Sequence, residues 1–336
     1  MLGEIELKSM AQRINAVLRE IGAGHVDEVL RDARAGMHTF VLVLTNYAAW
    51  PRVVSARQRF ELATGARVTI GHSHGQAIIR VADDVADSVT LEELLPYPPD
   101  GVTPMATPIG VVPADPSRPQ RPGGGPPALW LQVGSNRSNI LIVAPPGMGK
   151  TMLAHTILIG LARRNASRPE RLRIILCDPK NHDLGQVQAA LAAHLDGVHQ
   201  TIDRTRQALI NVAHLVEHAE PSKVETVVFV DKLYNVMRDA AAAEAVETTL
   251  RMGREFGFRV VACSPEAGRS PLAGPAMGLW HIRLVGRQAD VTTAAVASGI
   301  SGSGAEGLSG AGHFMAVYDG QAKPFRACVP PATYSD

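Results

Sequence analysis

The stretch NILIVAPPGMGKT, Asn139 to Thr151, decides the fold of this chain. Its opening NILIVA is almost wholly apolar and β-branched, the composition of a strand buried on both faces. APPGMGKT, Ala144 to Thr151, then matches the phosphate-binding P-loop pattern, except that Ala144 stands at the first glycine. The chemistry tolerates that change. Phosphate is gripped by loop backbone N–H groups and the positive end of the next helix, with Lys150 for the β- and γ-phosphates and Thr151 for Mg2+. Pro145, Pro146, Gly147, Met148 and Gly149 complete the loop. TMLAHTILIGLARR, which follows, reads as a helix. A chance GK[ST] in a glycine turn would need neither flank. ATP with Mg2+ is the ligand implied.

Outward from this loop the pattern alternates. RIILCD, TVVFVD, RVVACS, HIRLVG and HFMAVY read as strands, and helical segments fill roughly 185–219 and the alanine-rich stretch after Asp231. Short apolar strands alternating with helices predict an α/β fold with a parallel sheet covered on both faces.

The strand VFVDKLYNVM, Val228 to Met237, meets the surface at Asp231. An acid there reaches the Mg2+ shell beside Thr151; the plainer alternative is a cap for the next helix. ATP-hydrolysing P-loop proteins usually follow this acid with a Glu that activates water. Here the next residue is Lys232. A general base needs a free lone pair, an ordinary lysine titrates near ~10.4, and a γ-phosphate nearby raises that value. Lys232 therefore reads as a cation facing phosphate. Glu266, at the end of a neighbouring strand, is the substitute base, and Asp178 a poorer one. CDPKNHD, residues 177–183, is by itself an Asp-Pro turn. His72 and His74 in GHSHG, and His214, Glu217 and His218 in HLVEH, offer metal-ligand types but no complete set.

Residues 1–95 read as a small α+β domain in the order α-β-α-β-β. The segment 96–128, dense in proline and ending in a glycine run, reads as an extended linker. Residues 129–336 read as a P-loop ATPase domain. Net charge is only +1, so no global basic field announces nucleic acid. Three scattered cysteines argue against a disulfide framework or thiolate zinc site and for a reducing, cytoplasmic compartment. No signal-like N-terminus or apolar run of ~20 residues is present, so no membrane segment is expected.

With these motifs placed, the second half resembles the motor domain of the FtsK/SpoIIIE family. NILIVAPPGMGKT, IILCDPKNHDL, VVFVDKLYNVM, RMGREFGFRVVACS and GAEGLSGAGHFMAVYDGQAKPFRACV are similar, in order, to that family's successive elements. The N-terminal pattern is similar to its preceding small domain. The resemblance implies a RecA-like P-loop NTPase that assembles as a homo-oligomeric ring, usually a hexamer, and drives double-stranded DNA through its pore. It also implies a nucleotide at each subunit interface, where Arg283 or Arg287 would serve as an arginine finger; the plainer reading is an edge-strand arginine. The chain departs from the family at Lys232, at SPE (residues 264–266) on the sensor strand, and in a short AEPSKVE connection. Three functions follow: a DNA-translocating or remodelling ATPase, a hydrolysis-deficient ATP-binding regulatory module, or a protein-secretion motor.

Overall fold

The structure is a computed structural model. It describes residues 4–32, 37–64, 68–73, 76–82, 89–112, 127–134, 139–180, 185–218, 220, 222–268, 272, 274–308 and 310–330. The chain forms two compact units, 1–88 and 89–336.

The first unit runs α1 (Glu4–Glu20), β1 (Gly24–Asp32), β2 (Met37–Leu44), α2 (Trp50–Ser55), α3 (Arg57–Thr64), β3 (Val68–Ser73) and β4 (Gln76–Ala82). Its four strands make an antiparallel sheet in the order β1-β2-β4-β3. Ile14, Leu18, Phe40, Val53, Phe60 and Ile79 fill the core between sheet and helices. The expected order lacked β1. In GHVDEVLRD a register shift between Val26 and Glu28 puts Val26 and Val29 both against the core. Three-residue spacing hides a strand from a search for alternation. PRVVSARQRFELATG, expected as one helix, forms two, α2 and α3.

The second unit opens with α4 (Leu91–Leu94), β5 (Ala106–Val111), β6 (Ala128–Gln132), β7 (Ile140–Val143) and α5 (Lys150–Arg164). It continues through β8 (Leu172–Cys177), α6 (Gly185–Leu191), β9 (Leu195–His199), α7 (Ile202–His218), β10 (Glu225–Val230), α8 (Leu233–Val236) and α9 (Ala240–Met252). Last come β11 (Phe258–Ser264), β12 (Ile282–Gly286), α10 (Val291–Ser298), β13 (His313–Tyr318) and β14 (Gln321–Ala327).

Ten strands form one sheet in the order β6-β5-β14-β13-β12-β7-β11-β10-β8-β9. From β12 to β9 the pairing is parallel, as expected. β13, β14, β5 and β6 extend it antiparallel. Alternate residues of β7 serve opposite cores. Ile140 and Ile142 join the α5 residues Leu153, Ile157 and Leu161 on one face. Leu141 and Val143 join Leu209, Val212, Val246 and Leu250 of α7 and α9 on the other.

The linker expectation needs correction. Residues 106–111 lie inside 96–128, yet they pair with β6 and with Arg326 and Ala327 of β14. Pro108 fits because the ladder shifts register beside it, the place where a sheet accepts proline. The rest of the glycine run, 113–126, lies outside the described residues. Helix α4 groups with the second unit, not the first. Thr90 and Glu93 close a capping box at its start, and the Leu91 N–H donates to the Val329 carbonyl at 2.9 Å.

Asn139 enters β7 as a buried junction. Its Nδ2 donates to the carbonyls of Leu250 (2.8 Å) and Leu279 (3.2 Å), and the Val260 N–H donates to its Oδ1 at 3.5 Å. Asn139→Ala would leave those groups without a partner, so it should lower unfolding free energy by about 3 kcal/mol in urea titration. A loss under about 1 kcal/mol would refute the junction.

Candidate nucleotide site

The P-loop starts where β7 stops. The Ala144 N–H donates to the Ser264 carbonyl of β11 at 3.3 Å, so the loop leaves the sheet still tied to its neighbour strand. Gly147 and Gly149 take φ of 79° and 90°, values that a side chain would strain. Gly149 is also the N-cap of α5, so the loop turns directly into a fifteen-residue helix with its N-terminus toward the loop. Ala144 is fully buried. Its methyl has room because residue 286 opposite is glycine: a Cβ there would come within 2.6 Å of the Ala144 Cβ. One contact was not foreseen from the sequence. The Gly312 N–H donates to the Met148 carbonyl at 3.2 Å, so the glycine-rich turn before β13 braces the P-loop.

Lys150 folds back over the loop, its Nζ donating to the carbonyls of Ala144 (2.5 Å) and Pro145 (2.9 Å). Burial lowers its pKa from the ordinary 10.5; Cys263 and Asp231 pull it back up, and Lys232 pushes it down. Phosphate beside the ammonium would raise the pKa again. Between the two values each nucleotide bound takes up a proton, so affinity falls as pH rises through a window that opens below 10.5. Calorimetry at alkaline pH, in two buffers of different ionisation enthalpy, should record this uptake in the native chain and none in Lys150→Ala. Equal uptake in both would contradict it.

Asp231 follows β10, two strands from β7 with β11 between them. Its N–H donates to the Cys177 carbonyl at 2.8 Å. The carboxylate is buried, with 4% of the side chain exposed, and Lys232 Nζ lies 2.9 Å from Oδ2. Lys232 has φ 52° and ψ 45°, a left-handed backbone that costs a residue with a Cβ roughly 1–2 kcal/mol. Leu233 and Val236, just beyond, are buried in the core. Residue 232 is therefore the turn between a buried strand end and a buried short helix, and its side chain lies against Asp231. A buried carboxylate and the Thr151 hydroxyl are the hard oxygen donors that suit Mg2+. Here the ammonium of Lys232 already neutralises that carboxylate. The charges of Lys150, Asp231 and Lys232 act on one another, so residues far apart in sequence share one electrostatic neighbourhood.

No family model and no curated protein sequence matches the chain. Solved structures do. The structure of the pCW3 conjugation coupling protein TcpA, monomer form with ATPgS, aligns with a TM-score of 0.54 and 13% identity, over 97% of this chain and 95% of that one. The Thermomonospora curvata EccC ATPases 2 and 3, in complex with a signal sequence peptide, give 0.54 and 13% over 90% of this chain and 55% of that one. EssC ATPases 2 and 3 from Geobacillus thermodenitrificans give 0.53 and 16%, over 69% and 46%. The chain shares the P-loop ATPase fold of these proteins.

Within this P-loop ATPase fold the other expected residues separate. Glu266 lies two residues past the end of β11, the strand between the P-loop strand and the Asp231 strand. It is half-buried, and its carbonyl accepts from Ser264 Oγ at 2.6 Å. Asp178 is fully buried in its Asp-Pro turn, its Oδ1 accepting the Lys180 N–H at 3.2 Å. Arg283 donates to the carbonyls of Ser298 (2.8 Å) and Met277 (2.6 Å), and burial lowers its pKa. Those bonds tie strand β12 to the end of α10 and to the 274–279 turn, a structural use of the guanidinium. Arg287 is exposed just beyond β12, at the same sheet edge as the P-loop. Of the histidines, His214 and His218 stack with ring centroids 4.2 Å apart. His72 packs on Trp50 at 4.0 Å, and His74 lies outside the described residues. Among the described residues no helix is long and apolar enough to cross a membrane.

Proposed function

We propose that this chain is a Mg-ATP-binding motor subunit of the FtsK/SpoIIIE type that acts on double-stranded DNA as a cytoplasmic homo-hexameric ring and hydrolyses ATP slowly or conditionally. The observation that carries the reading is the grouping of Lys150, Asp231 and Lys232 at one sheet edge, with Lys232 2.9 Å from the Asp231 carboxylate. The P-loop backbone and the N-terminus of α5 take the phosphates, and Lys150 exchanges its two carbonyl partners for β- and γ-phosphate oxygens. Mg2+, held by Thr151 and Asp231, would neutralise phosphate charge. Lys232 competes with the metal for Asp231 and stands where a base would activate water. Glu266 is then the carboxylate left to orient water, and Arg287, more than the tethered Arg283, the arginine to reach a neighbour's nucleotide.

The likeness to a conjugation coupling protein, over nearly all of both chains, supports DNA as the cargo. The likeness to EccC with its signal peptide supports the protein-secretion alternative more weakly, since this chain spans only about half of that one. The Asp231–Lys232 pair also favours a second reading, an ATP-binding module that regulates an active partner. ATP turnover with and without duplex DNA, alongside sedimentation with ATP, separates these. A ring whose turnover rises on DNA supports the motor. A monomer without turnover or duplex binding at low salt supports the module.

A further inference from the structure

A second concave site lies on the same sheet edge, away from the P-loop. Pro179 and Lys180 after β8, Ile202 and Arg206 at the start of α7, and Asn235 and Arg238 around α8 line a cavity of about 470 Å³. Three cations line it, and among the described residues no acid does. β8 is the third strand from β7; at ~4.8 Å per strand that separates the cavity from the P-loop by about 14 Å.

Among the described residues the nearby acids other than Asp203 are engaged elsewhere. Asp178 is buried and accepts the Lys180 backbone N–H, and Asp239 caps α9 by accepting the Ala242 N–H at 3.0 Å. Asp231 pairs with Lys232. Asp203, itself 86% exposed, reaches one Arg206 nitrogen at 3.5 Å. Arg206 Nε is buried without a hydrogen-bond partner. The Lys180 ammonium and the Arg238 guanidinium are exposed and Asn235 is half-buried, and among the described residues their side chains have no hydrogen-bond or ion-pair partner. An anion in the cavity would satisfy the buried Arg206 donor and gain the field of the two exposed cations beside it. Two guanidinium forks suit the oxygens of a phosphate group. The volume exceeds one bare phosphate and falls in the range of small-molecule pockets.

We propose that this cavity is a second phosphate-binding pocket, which takes a phosphate-bearing small molecule on Lys180, Arg206 and Arg238. The pocket does not depend on the reading of the P-loop, so the two can fail separately. The test uses the full chain carrying Lys150→Ala, which quiets the P-loop, titrated calorimetrically at low salt with inorganic phosphate, pyrophosphate and AMP. At least one should bind, and adding Arg206→Gln or Arg238→Gln should weaken it about tenfold or more, the share of one charge-assisted hydrogen bond. Tightest binding of inorganic phosphate marks a site for the free ion; tightest binding of pyrophosphate or AMP marks the phosphates of a larger ligand. Arg238 is exposed, so its variant retains the fold even where Arg206→Gln does not. No binding of any of the three, or binding unchanged by Arg238→Gln, overturns the proposal.

Discussion

Lys150→Ala should weaken Mg-ATP binding by a hundredfold or more while leaving the chain folded. Two charge-assisted hydrogen bonds to phosphate oxygens are lost, each contributing ~1.5–3 kcal/mol, and about 2.7 kcal/mol already corresponds to a hundredfold. The fold tolerates the change. Lys150 is half-buried, and among the described residues its ammonium bonds the carbonyls of Ala144 and Pro145 alone, which face the loop. Fluorescent-nucleotide titration with a thermal melt as control measures both. Unchanged ATP affinity in a folded variant would remove the nucleotide site from this loop.

Lys232→Glu should raise ATP turnover by ~10²–10⁴-fold, the usual contribution of a general base. It removes the ammonium from Asp231 and puts a carboxylate beside it. Two adjacent acids, one of them buried, repel each other unless a cation joins them. The variant should therefore melt earlier without Mg2+ and regain stability when the metal is added. ATP affinity should fall, because a cation facing the γ-phosphate has become an anion. The left-handed backbone at 232 remains in the variant, so the gain will fall short of a site built with glutamate from the start. A Lys232→Glu chain as slow as the native one would show that residue 232 does not limit the chemistry.

The sequence made the P-loop legible because everything it needs is local: a buried strand, two glycines at strained turns, and a helix start within thirteen residues. Asp231 was legible for the same reason, as the first acid after an unbroken apolar run. The rest depends on residues distant in the chain. β5 sits in proline-rich sequence and exists because residues 128–132 and 326–327 supply its ladder. Ala144 is tolerated because Gly286, far downstream, leaves it space. Gly312 braces Met148 through a backbone bond that no local pattern predicts. The sequence left Arg283 open as a finger or an edge-strand arginine, because the carbonyls of Met277 and Ser298 that hold it lie at a distance in the chain or in turns no pattern announces. At Lys232 the sequence revealed the missing acid, but not that the backbone turns left-handed and lays the ammonium on Asp231.

We infer that this chain holds Mg-ATP but hydrolyses it slowly because Lys232 occupies Asp231 and the position of the base. ATP turnover by the native chain at saturating Mg-ATP, measured beside Lys232→Glu and Glu266→Gln with and without duplex DNA, tests it most directly. The account predicts native turnover well below the ordinary enzyme range of ~1–10³ s⁻¹ in the absence of DNA, and a large gain in Lys232→Glu. Native turnover within that range, abolished by Glu266→Gln and unaltered by Lys232→Glu, would contradict it.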